Sequence, residues 1–504
     1  MAVAKVYAAA PIGFDGQLVE VESHATKGLP SIQIVGLANK SIDEAKERVK
    51  SALLNSLFEY PAKRLTINLA PAELPKEGTH YDLAIALAIL IASSQLRQED
   101  VADALFAGEL ALDGSIRPVK GVISIAETAY NTGKTTLYVP AENTTQASLV
   151  ANINVIGVTS LKELFLHLKK ERIVTPSTPS VHTKSPTADP RPLLDDIIGQ
   201  NQAKRALTIA AAGRHNLLLR GSPGTGKTML AQTMLHLLPP LSSEEQLAIT
   251  KMYSLGGEAL DTIVTKRPFR SPHHTASRSA MIGGGTRPQP GEISLAHLGV
   301  LFLDELPEYP RATLEALRQP LEDRVIAISR TQGKLSYPAD IMLVATMNPC
   351  PCGFYGDTTK ECTCTQNQID SYQKRLSGPL LDRIDLTVHV PRVPQDELLQ
   401  QSSVHNKQHN HAQKIIESAL IRQHNRYKRS SKYNANLTSH EIRSSIPLSD
   451  ASQHLLAAAT ERLQLSTRAY FRIIRIARTI ADLEDADHIT DSHIAEALQY
   501  RSTT

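Results

Sequence analysis

Apolar and polar residues alternate in QLVEVES (17–23), SIQIVG (31–36) and RLTINLA (64–70), which predicts three half-buried strands. Between the second and third, residues 40–57 follow helical spacing, with Ile42, Ala45, Val49, Ala52 and Leu53 on one face. A continuous apolar run predicts a buried helix from Leu83 to Ser93. The stretch 105–120 reads as a hairpin turning at Asp113-Gly114. Beyond residue 192 the pattern changes. The apolar strands NLLLR, VLFLDE and IMLVATMN alternate with helical segments, the signature of a helix-covered parallel sheet. From about residue 396 strand signals stop, and helices are predicted at 412–428, 451–463, 467–484 and 491–499. Residues 175–192 (TPSTPSVHTKSPTADPRP) have almost nothing to bury and read as a linker. The expected multidomain organisation is an α+β unit at 1–172, a linker at 173–192, an α/β core at 193–395 and a helical lid at 396–504.

Composition narrows the classes. A chain of 504 residues exceeds a single core, and a net charge of +3 confines any nucleic-acid surface to a local patch. The longest apolar run, Leu83 to Ala92, is about half of the roughly 20 residues a membrane span needs, so no membrane is expected. The small-residue N-terminus lacks a Leu-rich stretch and is read as no signal peptide. Four cysteines lie between Cys350 and Cys364, unlike a spread disulfide framework, so a reducing cytoplasm is expected.

The chemistry concentrates at three strand ends. GSPGTGKT, residues Gly221, Ser222, Pro223, Gly224, Thr225, Gly226, Lys227 and Thr228, follows an apolar strand and opens a helix, the context a P-loop requires. Its glycines let backbone N–H groups face phosphate oxygens, and the helix N-terminus favours negative charge. Lys227 would reach the β- and γ-phosphates of ATP, and Thr228 would hold Mg2+. Asp304 and Glu305 end the next apolar strand, where Asp304 would hold Mg2+ and Glu305 would polarise the attacking water. Asn348 ends a third strand, placed for the γ-phosphate or its water.

Two further clusters each allow more than one reading. Between Asp261 and Glu292 no acidic residue occurs, while Lys266, Arg267, Arg270, Arg278 and Arg287 are basic and His273 and His274 lie among them. That stretch suits a phosphodiester backbone, a subunit contact or a second nucleotide contact. Residues 404–443 are also basic, as a DNA-facing or simply solvated surface. Cys350, Cys352, Cys362 and Cys364 form two C-x-C pairs nine residues apart. They fit a tetrahedral Zn2+ site, or free or redox-active thiols.

The order P-loop, acid pair, Asn-ended strand and arginine motif resembles the AAA+ ATPases. More specifically, PHHTAS (272–277), RPQPGEISLAHLGVLFLDELPE (287–308), MNPCPCG (347–353) and SGPLLDRIDL (377–386) are similar to the ComM/YifB family of Mg-chelatase-like AAA+ proteins. The resemblance covers residues 1 to about 500. It implies a Lon-protease-like N-terminal domain, a AAA+ core and a helical lid in a hexameric ring. It nominates Arg383 as the arginine finger completing a neighbour's site. Among Arg468, Arg472, Arg475 and Arg478 it nominates Arg468, then Arg472, as the lid residue sensing the γ-phosphate. It sets Ile198 and Gly199 of DIIGQNQAKRAL against adenine. For function it implies an ATP-driven DNA helicase promoting branch migration during recombination in natural transformation, with single-stranded or branched DNA as partner. The alternative is a remodelling chaperone or chelatase-type motor acting on protein. In the Lon-like segments PKEGTHYD and GELALDGSIRPVKGV, His80 stands where the serine nucleophile would be and Ile123 where the lysine would be. Neither performs Ser–Lys acyl transfer, and the near misses Thr79 and Lys120 are displaced, so no peptidase is expected.

Overall fold

The computed structural model describes residues 3–36, 40–74, 76, 78–176, 191–258, 261–284, 289–330, 333–357, 359–394, 396, 407–429 and 431–501. Residues 177–190 of the expected linker, and Arg287, lie outside them.

Two sheets organise the chain. The first has seven strands, ordered in space as Ser31–Val35, Arg64–Ala70, Asp15–Thr26, Ala4–Ile12, Ala104–Phe106, Thr136–Pro140 and Asn154–Val158. Along Asp15–Thr26 the predicted alternation is visible: Val19 and Val21 are buried, whereas Glu20 and Glu22 pair with Lys5 of the adjacent strand. Ala4–Ile12 escaped the pattern because both its faces are covered. Ala8 and Ala10 join one apolar cluster and Ala9 another, and small side chains let the helices Asp82–Ala92 and Val122–Asn131 approach closely. The expected hairpin at 105–120 is corrected. Ala104–Phe106 runs parallel between Ala4–Ile12 and Thr136–Pro140, so only Glu109–Leu110 and Ile116–Arg117 pair antiparallel around the Asp113-Gly114 turn.

The second sheet is wholly parallel, ordered Phe269–Arg270, Val300–Leu303, Met342–Met347, Leu217–Arg220, Leu386–His389. Its first strand in the chain therefore lies between the fourth and fifth. That reversal opens a crevice at the strands' carboxyl ends, where α/β sheets hold ligands. Alternate residues feed two cores. Leu217, Leu219, Phe302 and Val344 face one, while Leu218, Leu301, Leu303 and Leu343 face the other. The first core also takes in Ile416, Ile476, Ile480 and Ile494 from the helices Lys407–Tyr427, Thr467–Leu483 and Asp491–Gln499, so the helical region shares its interior with the sheet.

A hairpin, Val325–Arg330 with Gly333–Pro338, stands outside both sheets and was not foreseen from the sequence. At its base Tyr337 packs with Met252, Leu295 and Phe14, joining the two halves of the chain. Lys251, only 3% exposed, sits 4.1 Å over the Phe14 ring and pairs with Glu127 of the first unit. Among the described residues no helix is long and apolar enough to cross a membrane.

Candidate functional site

The P-loop leaves the strand Leu217–Arg220 at Gly221, where a Cβ would stand 2.3 Å from the Val390 carbonyl oxygen; only glycine fits. Gly224 (φ +77°) and Gly226 (φ +85°) adopt the left-handed conformation, and a Cβ at either would meet nothing within 4 Å. These two glycines are required by backbone geometry, and the space over them is open to a ligand. The helix Lys227–Leu237 starts directly at this turn.

Lys227 is 9% exposed and donates to the carbonyls of Gly221 (2.7 Å) and Ser222 (2.8 Å) and to Asn348 Oδ1 (3.1 Å). Burial lowers its pKa, against the pull of Asp304 and Glu305. Thr228 Oγ1 lies 3.3 Å from Asp304 Oδ2. Parallel pairing sets Leu303 opposite Ala345 and Leu219 opposite Thr346, so P-loop, acid pair and Asn348 converge at the ends of three adjacent strands.

Sequence reasoning missed Thr346. It is 1% exposed, donates through Oγ1 to Asp304 Oδ1, and accepts the Glu305 N–H at 2.9 Å. Glu305 has φ +52°, unusual for a residue with a side chain, and its carboxylate is exposed. The hydroxyl thus ties down both acids at once. Its only signal was a polar residue in a strand otherwise apolar from Met342 to Met347.

Ile198 is 38% exposed and precedes a left-handed turn at Gly199 (φ +62°). Gln200 next donates to the Pro391 carbonyl at 2.6 Å. Since Val390 abuts Gly221, this segment borders the P-loop at the sheet edge.

The arginines sit elsewhere. Arg383 follows the short helix Gly378–Leu381, and its side chain is 12% exposed. Its guanidinium is held by Glu322 and by the Pro379 carbonyl at 2.6 Å. Asn216, just before the P-loop strand, donates to the Arg383 carbonyl (2.9 Å), which fixes this segment at the amino end of that strand. Arg468 donates to the other oxygen of Glu322 at 2.7 Å. Arg468 thus stands beside Arg383, over a cavity of about 470 Å³ that Arg214, Arg324 and Arg475 also line. Arg472, buried, donates to the Ile384 carbonyl, and Arg478 pairs with Asp482.

Within the basic stretch two guanidiniums are already paired. Arg267 is 9% exposed, and it binds Glu245 and the carbonyls of Pro239 and Leu298. Arg270 is clamped between Glu258 and Glu292, the acids flanking the stretch. Each guanidinium would have to leave these carboxylates to meet a phosphodiester. Lys266, His273 and Arg278 are exposed, and His274 is half-buried. The His273 and His274 rings meet in a tilted contact with centroids 4.1 Å apart, and Tyr309 donates to the Pro272 carbonyl at 2.6 Å, tying the PHHTAS segment to the turn after Glu305.

All four cysteine thiols gather immediately beyond Asn348, their sulfurs within 4.8 Å of one another.

Three family models match the chain: "Magnesium chelatase, subunit ChlI" over residues 193–398, "Subunit ChlI of Mg-chelatase" over 21–143, and "Magnesium chelatase, subunit ChlI C-terminal" over 406–501. The competence protein ComM of Haemophilus influenzae is 46% identical over 505 residues, covering 100% of this chain and 98% of that protein. The uncharacterized protein YifB of Salmonella typhimurium is 44% identical over 505 residues, covering 100% and 97%. The chain belongs to the ComM/YifB family of Mg-chelatase-like proteins. Within this ComM/YifB chain the five-stranded parallel sheet carries the magnesium-chelatase match, and the C-terminal match falls on the helical region. A local likeness, 47% identical over 58 residues, links 12% of it to 9% of an archaeal Lon protease of Archaeoglobus fulgidus. At the two positions in question this family member has His80, 9% exposed, and Ile123, fully buried. Thr79 donates to Glu109, while the Lys120 amine packs against Gly257 of the second half.

Proposed function

We propose that this protein is an ATP-hydrolysing AAA+ motor that moves DNA, promoting branch migration of recombining strands. The observation carrying the ATPase half is the convergence of Lys227, Thr228, Asp304 and Asn348 at three adjacent strand ends. In this reading the loop N–H groups and Lys227 bind the triphosphate, Asn348 orients the γ-phosphate beside Lys227, and Glu305 takes a proton from the attacking water. Thr228 and Asp304, a hydroxyl and a carboxylate, are hard oxygen donors suited to Mg2+, which would offset phosphate charge. Ile198 and Gly199 border the base.

Arg383 and Arg468 lie at the far end of a four-residue strand from their own P-loop, about 13 Å away at 3.3 Å per residue. They would therefore act on a neighbouring subunit, so the active unit is a ring, expected to be a hexamer. Binding across the subunit boundary stabilises charge on the transferring phosphoryl group. The DNA half rests on the printed name of a relative, competence protein ComM, and on the exposed Lys266 and Arg278. The N-terminal unit is read as a Lon-like scaffold without peptidase chemistry. Its docking through Phe14, Lys251 and Tyr337 suits a part in assembly. A cytoplasmic location fits this role.

A second reading, a motor on a protein substrate, gains from the withdrawal of Arg267 and Arg270 into ion pairs. The deciding experiment is steady-state ATP hydrolysis with no DNA, single-stranded DNA and a four-way junction, with Lys227→Ala as the inactive control. Stimulation by DNA that Lys227→Ala abolishes supports the DNA motor; hydrolysis indifferent to every DNA favours the protein substrate.

A further inference from the structure

The loop at 350–364 is built as a closed unit. Cys350 Sγ lies 3.4 Å from Cys352 Sγ and 3.7 Å from Cys362 Sγ, and Cys352 Sγ lies 3.6 Å from Cys362 Sγ. Thiolates on a tetrahedral zinc at about 2.3 Å stand roughly 3.8 Å apart, whereas disulfide sulfurs stand about 2.05 Å apart. The observed spacings match the first. Two backbone N–H groups point at sulfur: Cys352 toward Cys364 Sγ at 3.4 Å and Tyr355 toward Cys350 Sγ at 3.3 Å. Such donors orient and stabilise thiolate ligands.

The same loop grips the nucleotide site. Gly353 (φ +85°) packs so closely on Pro223 that a Cβ would stand 2.5 Å from its ring. The Ser222 side chain holds the Asp357 carboxyl below the usual carboxylate range, and Asp357 also pairs with Arg392 at 3.1 Å. Cys350 is buried two residues after Asn348, the partner of Lys227.

We propose that Cys350, Cys352, Cys362 and Cys364 bind one soft divalent cation of the Zn2+ class, and that the loop so closed braces the P-loop in its nucleotide-binding shape. The brace rests on the ATP-site reading above; the metal site does not. With four thiolates and no water ligand, the ion is structural, contributing loop closure rather than chemistry on substrate.

The test uses the full chain purified under reducing conditions. Metal content is measured by mass spectrometry with release by a mercurial reagent, and affinity with a fluorescent ATP analogue. Four samples are compared: loaded protein, chelator-stripped protein, the double variant Cys352→Ser with Cys362→Ser, and Asp357→Asn. One zinc per chain is expected in the loaded protein and in Asp357→Asn. Stripping or the double substitution should weaken nucleotide binding roughly tenfold or more. Asp357→Asn, which keeps the metal and removes the charge that ties the loop to Ser222 and Arg392, should weaken it about threefold to tenfold. Wild type without stoichiometric metal overturns the site. Stripped protein and Asp357→Asn that both bind nucleotide within about twofold of wild type overturn the brace. Loaded wild type that binds no nucleotide overturns the brace together with the ATP reading, and the metal count then decides the site alone.

Discussion

Replacing Thr346 with valine removes one oxygen atom and almost no volume, yet that oxygen serves both acids of the candidate site. In Thr346→Val the Asp304 carboxylate loses a donor, and the Glu305 N–H loses the acceptor that holds it at φ +52°. A hydrogen bond to a charged group contributes about 1.5–3 kcal/mol. If that energy positions the metal-facing and water-facing carboxylates, kcat for ATP hydrolysis falls about tenfold to a hundredfold, since 1.4 kcal/mol is one decade. Phosphate contacts through the loop and Lys227 are untouched, so KM should stay within about threefold. Thr346→Ser, which restores the hydroxyl, should recover most of the loss. A Thr346→Val enzyme with kcat within twofold of wild type refutes the reasoning. So would equal losses in the valine and serine variants, since packing rather than the hydroxyl would then be at fault.

Mixing inactive Lys227→Ala subunits with inactive Arg383→Ala subunits should restore about a quarter of wild-type hydrolysis, because that share of randomly formed heterologous interfaces joins an intact P-loop to an intact arginine. No recovery in rings shown to exchange subunits would mean that Arg383 does not act across the boundary. Asn216→Ala removes bonds from Asn216 to the Arg383 carbonyl and from the Leu343 N–H to Asn216. It should destabilise the chain by about 2 kcal/mol, measured by denaturant unfolding. Burial pushes His297 down to about 4, so it is neutral in the fold, and its unfolded form takes up a proton first as pH falls below 6.5. Stability from this group is therefore complete above that pH and is lost as pH falls toward 4, about 2 kcal/mol by pH 5. In the first unit His80, also down to about 4, loses stability over the same window, whereas Asp82, pushed by burial up to about 6, gains it as pH falls. Scanning calorimetry from pH 7 to pH 5 should consequently show the melting of the second half falling further than that of the first.

What the sequence made legible was whatever chemistry is local along the chain. The P-loop, the acid pair and Asn348 each end an apolar strand, so strand pattern and motif coincide. Thr346 stayed hidden because its partners sit one strand away, and the two residues it serves are adjacent to each other but not to it. The ion pairs of Arg267 and Arg270 were hidden for a related reason. A window free of acids says nothing of Glu245, Glu258 and Glu292, which close on it from outside. Arg468 meets Glu322 across 146 residues, a separation no periodicity reports. The strand Ala4–Ile12 lacked alternation because helices cover both its faces.

The position of the P-loop strand has a consequence for biosynthesis. Leu217–Arg220 pairs on one side with Met342–Met347 and on the other with Leu386–His389. A nascent chain that has just completed Arg220 must therefore wait until Met342 for the first of these neighbours, roughly 120 residues later. At roughly 5–20 residues per second, that leaves an apolar strand without its partner for on the order of 10 s. The first sheet closes earlier, with Asn154–Val158, so it is complete before the P-loop strand has been made. Such late, non-local pairing is slow and exposed to misassociation. During synthesis the already folded first half is thus the nearest structured surface beside the waiting strand.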